Sequence, residues 1–209
     1  LKQINAGEYN PSEFIKTNIL GTENVLMAAS DVGVKKVLLL SSDKAAAPVT
    51  LYGSTKSVAE HLIRAGQSYN PTGTKFAALR YGNVAGSRGS VIPLWRGLIR
   101  QGATELPVTH PEMTRFFFRI EDAVDFALWA LVRTEGGELF VPKMPSFHVV
   151  DLAQAMGAKG VKIIGIRGIE KIHESMISAE ESRYFRLWEG RYVRLPDGDE
   201  AGAPLPEGF

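Results

Sequence analysis

Apolar and small residues recur at helical spacing near the start of the chain. Ile15, Ile19, Thr22, Leu26 and Ala29 follow Ser12, a natural helix N-cap, and Gly33 supplies a C-terminal stop. The pattern predicts one long helix. Lys35-Lys36 then introduces Val37-Leu38-Leu39-Leu40, which ends in Ser41-Ser42-Asp43-Lys44; an all-apolar run between polar residues predicts a strand buried on both faces. After a loop containing Pro48, a second helical pattern runs from Leu51 through Ala59, Leu62 and Ile63 to a stop at Tyr69-Asn70-Pro71, and Phe76 to Tyr81 predicts the next strand.

The order helix, strand, helix, strand with short turns is that of a doubly wound α/β domain, whose ligands sit beyond the carboxyl ends of the strands. Those ends carry Ser42-Asp43-Lys44 and Gly82-Asn83. From Gly82 onward the texture changes, with Gly86, Gly89, Pro93, Gly97, Gly102, Pro107 and Pro111 interrupting short apolar pieces. A helix near Ile120 to Val132, a strand Glu138 to Pro142 and a further strand Val161 to Ile166 follow. The expected fold is an α/β protein with a doubly wound parallel sheet and a smaller, irregular second lobe inserted into it. Residues 1–85 and about 119–145 form the first, residues 86–118 and 146–196 the second, and the Gly-, Pro- and acid-rich residues 197–209 a frayed tail.

Composition narrows the possible functions. The 209 residues include 24 Lys+Arg and 23 Asp+Glu, a formal net charge of +1, and no basic block, so neither nucleic acid nor an anionic membrane surface is an expected partner. No apolar run approaches the roughly 20 residues of a membrane span. Cysteine is absent and His61, His110, His148 and His173 are far apart, which leaves no local metal-ligand motif. A cytoplasmic, metal-free protein is expected.

Two constellations carry candidate chemistry. Tyr52-Gly53-Ser54-Thr55-Lys56 sets a phenol and an ammonium four apart on one helix face, where a nearby cation favours phenolate and lets Tyr act as a base toward an alcohol. A solvated helix pair has the same spacing, but this one follows a buried strand and a ten-residue loop, where a doubly wound sheet presents its ligands. Ser42-Asp43-Lys44 offers a hydroxyl, an acid and an amine within one turn. A serine capping a turn beside a solvated Asp-Lys pair uses the same three residues; the proximity of Tyr52 and Lys56 favours chemistry.

These stretches, with Thr17-Asn18-Ile19-Leu20-Gly21-Thr22-Glu23-Asn24-Val25, Arg80-Tyr81-Gly82-Asn83-Val84, Gly86-Ser87-Arg88-Gly89-Ser90-Val91-Ile92-Pro93 and Met113-Thr114-Arg115-Phe116, resemble the extended short-chain dehydrogenases/reductases. More narrowly they resemble the inverting UDP-N-acetylglucosamine 4,6-dehydratases of pseudaminic acid synthesis, in the CapD-like polysaccharide biosynthesis group, from Leu1 to about Pro196. Ser42 stands where relatives carry Thr, and Lys44 where retaining sugar 4,6-dehydratases carry Glu. Large membrane-anchored relatives tend to lack the tyrosine, so Tyr52 favours the short soluble type.

The resemblance implies an incomplete doubly wound, Rossmann-type parallel sheet with a smaller, discontinuous α/β lobe that binds substrate, and an NADP-dependent lyase acting on a UDP-sugar, a homo-oligomer when intact. Its catalytic residues would be Ser42, Asp43, Lys44, Tyr52 and Lys56, with Asn18 shaping the site from the preceding helix. Cofactor contacts would come from Ser41, Tyr52, Lys56, Tyr81 and Asn83, and substrate contacts from Asn83, Arg88, Arg115, Arg167 and Glu170. Arg115 and Arg167 are the expected pyrophosphate donors, because a planar guanidinium grips phosphate bidentately. Relatives read Arg-Pro-Gly-Glu where this chain reads Arg167-Gly168-Ile169-Glu170, which alters the turn presenting Arg167. His173 is expected to be a structural hydrogen-bonder. The family also opens with a strand, a Gly-x-x-Gly-x-x-Gly turn and a helix, and Gly157, Gly160, Gly165 and Gly168 do not supply that turn, since they surround a late strand. The expectation is an N-terminally truncated enzyme lacking about 80–100 residues, inactive alone. The alternatives are a related epimerase or reductase, which has no use for the Asp43-Lys44 pair, and a cofactor-free binding fragment.

Overall fold

A computed structural model describes residues 1–166, 168–196 and 203–204. It divides into two compact units: residues 1–81, 124–143 and 175–209, and residues 82–123 and 144–174.

The larger unit opens with helices α1 (Ile4–Tyr9) and α2 (Pro11–Phe14), a π-helical turn (Ile15–Leu20) and α3 (Gly21–Asp31). The single helix expected from Ser12 onward is thus interrupted, and Asn10, with Pro11 at the first helical position, stands where Ser12 was expected to cap. The wide turn has a visible cause: the Asn18 amide, buried in it, donates to Thr55 Oγ1 at 3.0 Å, and Thr22 Oγ1 donates back to the Asn18 carbonyl at 2.8 Å. Strand β1 (Lys36–Leu40) leads through a 3₁₀ turn at Asp43–Ala45 to the long helix α4 (Leu51–Tyr69) and to β2 (Lys75–Leu79), which pairs parallel with β1. Thr50 caps α4, its Oγ1 accepting from Gly53 N at 3.1 Å.

In the smaller unit, α5 (Val91–Arg100) precedes β3 (Glu105–Val108) and β4 (Thr114–Phe116). Helix α6 (Ile120–Arg133) and β5 (Leu139–Val141) carry the chain into the larger unit; β6 (Ser146–His148), α7 (Val149–Ala155) and β7 (Gly160–Ile163) belong to the smaller one. Helix α8 (Ala179–Ser182), β8 (Phe185–Trp188), β9 (Arg191–Arg194) and the two-residue β10 (Ala203–Pro204) complete the larger unit. Its sheet runs β1-β2-β5-β9-β8-β10, parallel as expected from β1 to β5 and antiparallel beyond.

Two features depart from the sequence pattern. The run Val37–Leu39 is half-buried rather than buried on both faces, and Leu40 is 48% exposed, because β1 lies at the sheet edge with one strand beside it among the described residues. The hairpin β8–β9 extends the main sheet, although residues 146–196 were expected to lie in the smaller lobe. Its turn places Glu189 and Gly190 at φ 48° and 73°, the two positive values of a tight hairpin turn. Apart from β10, the expected tail lies outside the described residues.

Phe76, Leu79, Ile63, Phe140, Val141, Phe185 and Val193 are fully buried in the larger unit. The smaller unit packs Trp95, Leu106, Val108, Met113, Val149 and Ala153 into its own core, with β3 parallel to β7 and β4 antiparallel to β6. Among the described residues no helix is long and apolar enough to cross a membrane, and no group of three acidic, His or Cys side chains is placed to hold a metal.

Candidate active site

The carboxyl ends of β1 and β2 are joined by backbone bonds that place the candidate residues. Ser41 N donates to Leu79 O at 2.7 Å and Asp43 N to Tyr81 O at 3.2 Å, so the turn after β1 is held against the end of β2. Ser42 caps that turn, its Oγ accepting from Lys44 N at 3.3 Å and donating to Asp43 Oδ1 at 2.7 Å. Asp43 is 1% exposed and carries the Lys44 ammonium on both carboxylate oxygens, at 3.2 and 3.3 Å. The pair expected from the sequence is therefore formed, with Asp43 buried and Lys44 part-buried.

Helix α4 brings Tyr52 to this turn, within hydrogen-bonding reach of Ser42. Burial pushes the Tyr52 phenol above its ordinary value; the Ser42 hydroxyl and the Lys44 ammonium pull it down, and Asp43 and Tyr81 add to the rise. The Tyr52/Lys56 spacing points to Lys56 as the depressing cation. In the structure that cation is Lys44, because Lys56 Nζ turns to the Leu40 carbonyl at 2.7 Å. Burial draws the Lys56 ammonium below its ordinary value, with Glu60 opposing. Tyr81, half-buried, is likewise raised by burial.

Two buried charged residues at this site were not singled out in the sequence. Glu60, one turn beyond Lys56, receives Arg80 Nε and Nη2 at 2.9 and 2.7 Å, and Ser41 Oγ at 2.5 Å. Arg80 also donates to Met176 O at 3.1 Å and to Glu181. A charged residue one turn past Lys56 on the buried face, and an arginine closing an otherwise apolar strand, were the signals available. The same contacts engage the Ser41 hydroxyl, proposed from the sequence as a cofactor contact, with Glu60.

The smaller unit holds the remaining candidates. Asn83 is exposed, and its carbonyl accepts from Phe118 N at 3.0 Å. Arg88 is exposed between Gly86 and Gly89, both at positive φ. Arg115, expected to reach for pyrophosphate, is turned onto its own unit: Nη1 donates to the carbonyls of Thr114 and Ile172 at 2.7 and 2.9 Å, and Nη2 to Lys171 O at 3.1 Å and Glu170 Oε1 at 3.3 Å. Glu170 is thus the anchor of that guanidinium. His173 Nδ1 pairs with Thr114 Oγ1 at 2.8 Å, the structural bond expected of it. Arg167 lies outside the described residues.

The sequence profile of a family described as polysaccharide biosynthesis protein matches residues 1–194. A relative from Campylobacter jejuni serotype O:2, described as UDP-N-acetylglucosamine 4,6-dehydratase (inverting), is 48% identical over 198 residues, covering 94% of this chain and 59% of its own length. A UDP-glucose 4-epimerase of Rickettsia rickettsii is 43% identical over 187 residues, 87% of this chain and 54% of that protein. The crystal structure of Pen from Bacillus thuringiensis superposes with a TM-score of 0.90 at 33% identity, over all of this chain and 66% of that one. The chain therefore spans well under two thirds of the length of the two curated relatives.

Proposed function

The chain belongs to the polysaccharide biosynthesis protein family, and from that premise we propose that it is part of an extended short-chain dehydrogenase/reductase and carries the catalytic residues of an inverting UDP-N-acetylglucosamine 4,6-dehydratase. The product would be a UDP-4-keto-6-deoxy sugar, the redox cofactor NADP and the place of action the cytoplasm. The observation that carries this reading is the ion pair of buried Asp43 with part-buried Lys44, beside Tyr52 and Ser42.

The residues present fit a nicotinamide cofactor. Lys56 has three donors, and its one hydrogen bond among the described residues is to Leu40 O, which leaves donors for a ribose diol. Tyr52, on the same helix face, and Tyr81 would flank the ring. Bound there, the cofactor supplies reversible hydride transfer at the sugar.

Tyr52 takes the proton of the C4 hydroxyl while Ser42 holds that oxygen. The resulting C4 ketone acidifies the C5 hydrogen, which requires a base, and departure of the C6 hydroxyl requires an acid. Asp43 and Lys44 are one proton transfer from these forms: moving a proton from ammonium to carboxylate across their 3.2 Å contact gives a neutral amine and a carboxylic acid together. Exclusion of water by substrate favours that uncharged pair. Lys44 then removes the C5 proton, and Asp43 protonates the leaving C6 oxygen. Substrate contacts from Asn83, Arg88, Arg115, Arg167 and Glu170 remain part of the proposal as the family resemblance implies them; within the smaller unit Arg115 holds the 170–172 segment.

Epimerisation is the second reading, favoured by the Rickettsia relative. It uses Tyr52 and Lys56 and gives no work to Asp43 and Lys44. A chimera in which the N-terminal residues of the Campylobacter relative precede Leu1 separates the two: with NADP and UDP-N-acetylglucosamine it is expected to release water and form a keto sugar. A C4 epimer without water loss would favour the second reading.

A further inference from the structure

Three residues of α4, each four apart, grip three successive residues at the end of β1. Lys56 Nζ holds the Leu40 carbonyl, Glu60 Oε1 accepts the Ser41 hydroxyl, and Tyr52 meets Ser42. The spacing puts all three on one helix face. The middle contact is the unusual one, because it buries a carboxylate that touches neither of the two candidate reacting sets directly. Glu60 is 5% exposed and Arg80 4%, and the arginine engages both carboxylate oxygens from the neighbouring strand. Arg80 is in turn tied to Glu181 and the Met176 carbonyl, so the clamp is anchored on the segment before the β8–β9 hairpin. Burying charge at this level is unfavourable unless every charged atom is matched. A fully apolar contact would fill the same space, so the charge itself calls for a use.

We propose that Glu60, clamped by Arg80, is a positioning residue for the Tyr52–Lys56 pair: its carboxylate fixes the end of β1 against α4 and supplies the negative charge that faces Lys56. The catalytic consequence rests on the dehydratase reading, whereas the clamp and its charge do not. Among the described residues, Glu60, on its own helix, supplies the charge that opposes burial at Lys56. Burial alone favours the neutral amine; Glu60 counters it and keeps the ammonium that a ribose diol would meet.

The test follows the side-chain nitrogen of Lys56 by NMR in the 209-residue chain labelled at lysine, with Lys56→Arg for assignment. Glu60→Gln preserves size and an acceptor for Ser41 and removes the charge. The Lys56 titration midpoint is expected to fall in this variant, and Glu60→Asp should give an intermediate value. A merely structural role moves it the other way, since a loosened site admits water and lifts Lys56 toward its ordinary value. A Gln variant with the parent's backbone spectrum and an unchanged or higher midpoint overturns the proposal. Should the Gln variant not fold, Glu60→Asp decides alone: a lower midpoint than the parent supports the proposal, and an equal or higher one overturns it. Neither cofactor nor substrate enters the measurement, so its failure leaves the dehydratase reading standing.

Discussion

Gly53 packs directly on the backbone of Lys44: a Cβ at Gly53 would lie inside van der Waals contact with the Lys44 carbonyl oxygen and 3.2 Å from Pro48 Cβ. The first turn of α4 can approach the acid/base turn this closely only because the side chain is hydrogen. The separation of Tyr52 from Ser42, Asp43 and Lys44 therefore depends on this glycine. Gly53→Ala, although it favours helix intrinsically, is expected to destabilise the chain by about 1–3 kcal/mol through overpacking. Thermal melting checks this; a melt at or above the parent's would show that the turn yields freely.

The phenol of Tyr52 gives a pH dependence. Its folded value lies above the unfolded one of about 10, so its contribution to stability is fully present below that pH and is lost as pH rises through the folded value. Tyr81 acts in the same sense, and Lys56, drawn downward by burial, in the opposite one. Comparing the parent with Tyr52→Phe cancels the last two: the parent should lose more stability than the variant between mildly and strongly alkaline pH. Parallel curves would mean that Tyr52 titrates as an exposed phenol.

Tyr52→Phe in the chimera is expected to lower turnover by on the order of 10²–10⁴, with KM for the UDP-sugar little changed, since only the ionisable oxygen is removed. Turnover close to the parent's would take Tyr52 out of the mechanism.

Arg115 illustrates where chemistry read from residue type needs geometry. Its guanidinium joins β4 to the 170–172 segment through the carbonyls of Lys171 and Ile172 and the carboxylate of Glu170. Arg115→Lys, which keeps the charge and loses the fork, is expected to destabilise the smaller unit by about 1–3 kcal/mol. Hydrogen exchange of that segment, faster than in the parent, checks it.

Much of the larger unit was legible because its apolar runs are regular. Val37–Leu40, Phe76–Leu79 and the α4 pattern announce two parallel strands and their crossover helix, and the Ser42-Asp43-Lys44 and Tyr52/Lys56 motifs fall at the strand ends where such a sheet places them. Three features were not legible, the first and last because a partner distant in sequence decides them and the second because its turn lacks the usual residue. The wide turn at Ile15–Leu20 follows from an Asn18–Thr55 bond across 37 residues, which periodicity does not encode. The β8–β9 turn uses Glu189 in a left-handed conformation that Asn or Asp usually adopts, so the hairpin lacked its customary signal. The Lys56 ammonium shares a helix face with Tyr52 as the spacing predicted, yet the Leu40 carbonyl claims it; spacing fixes the face and not the partner.

The measurement closest to the central claim concerns Lys44. In the chimera bearing Lys44→Ala, UDP-N-acetylglucosamine should still produce transient NADPH absorbance, because oxidation at C4 depends on Tyr52 and the cofactor. Water loss and incorporation of solvent deuterium at C5 should both stop, since no amine remains to take that proton. Deuterium appearing at C5 at the parent's rate in the Ala variant would contradict the account, assign the proton to another base, and remove the main support for inversion.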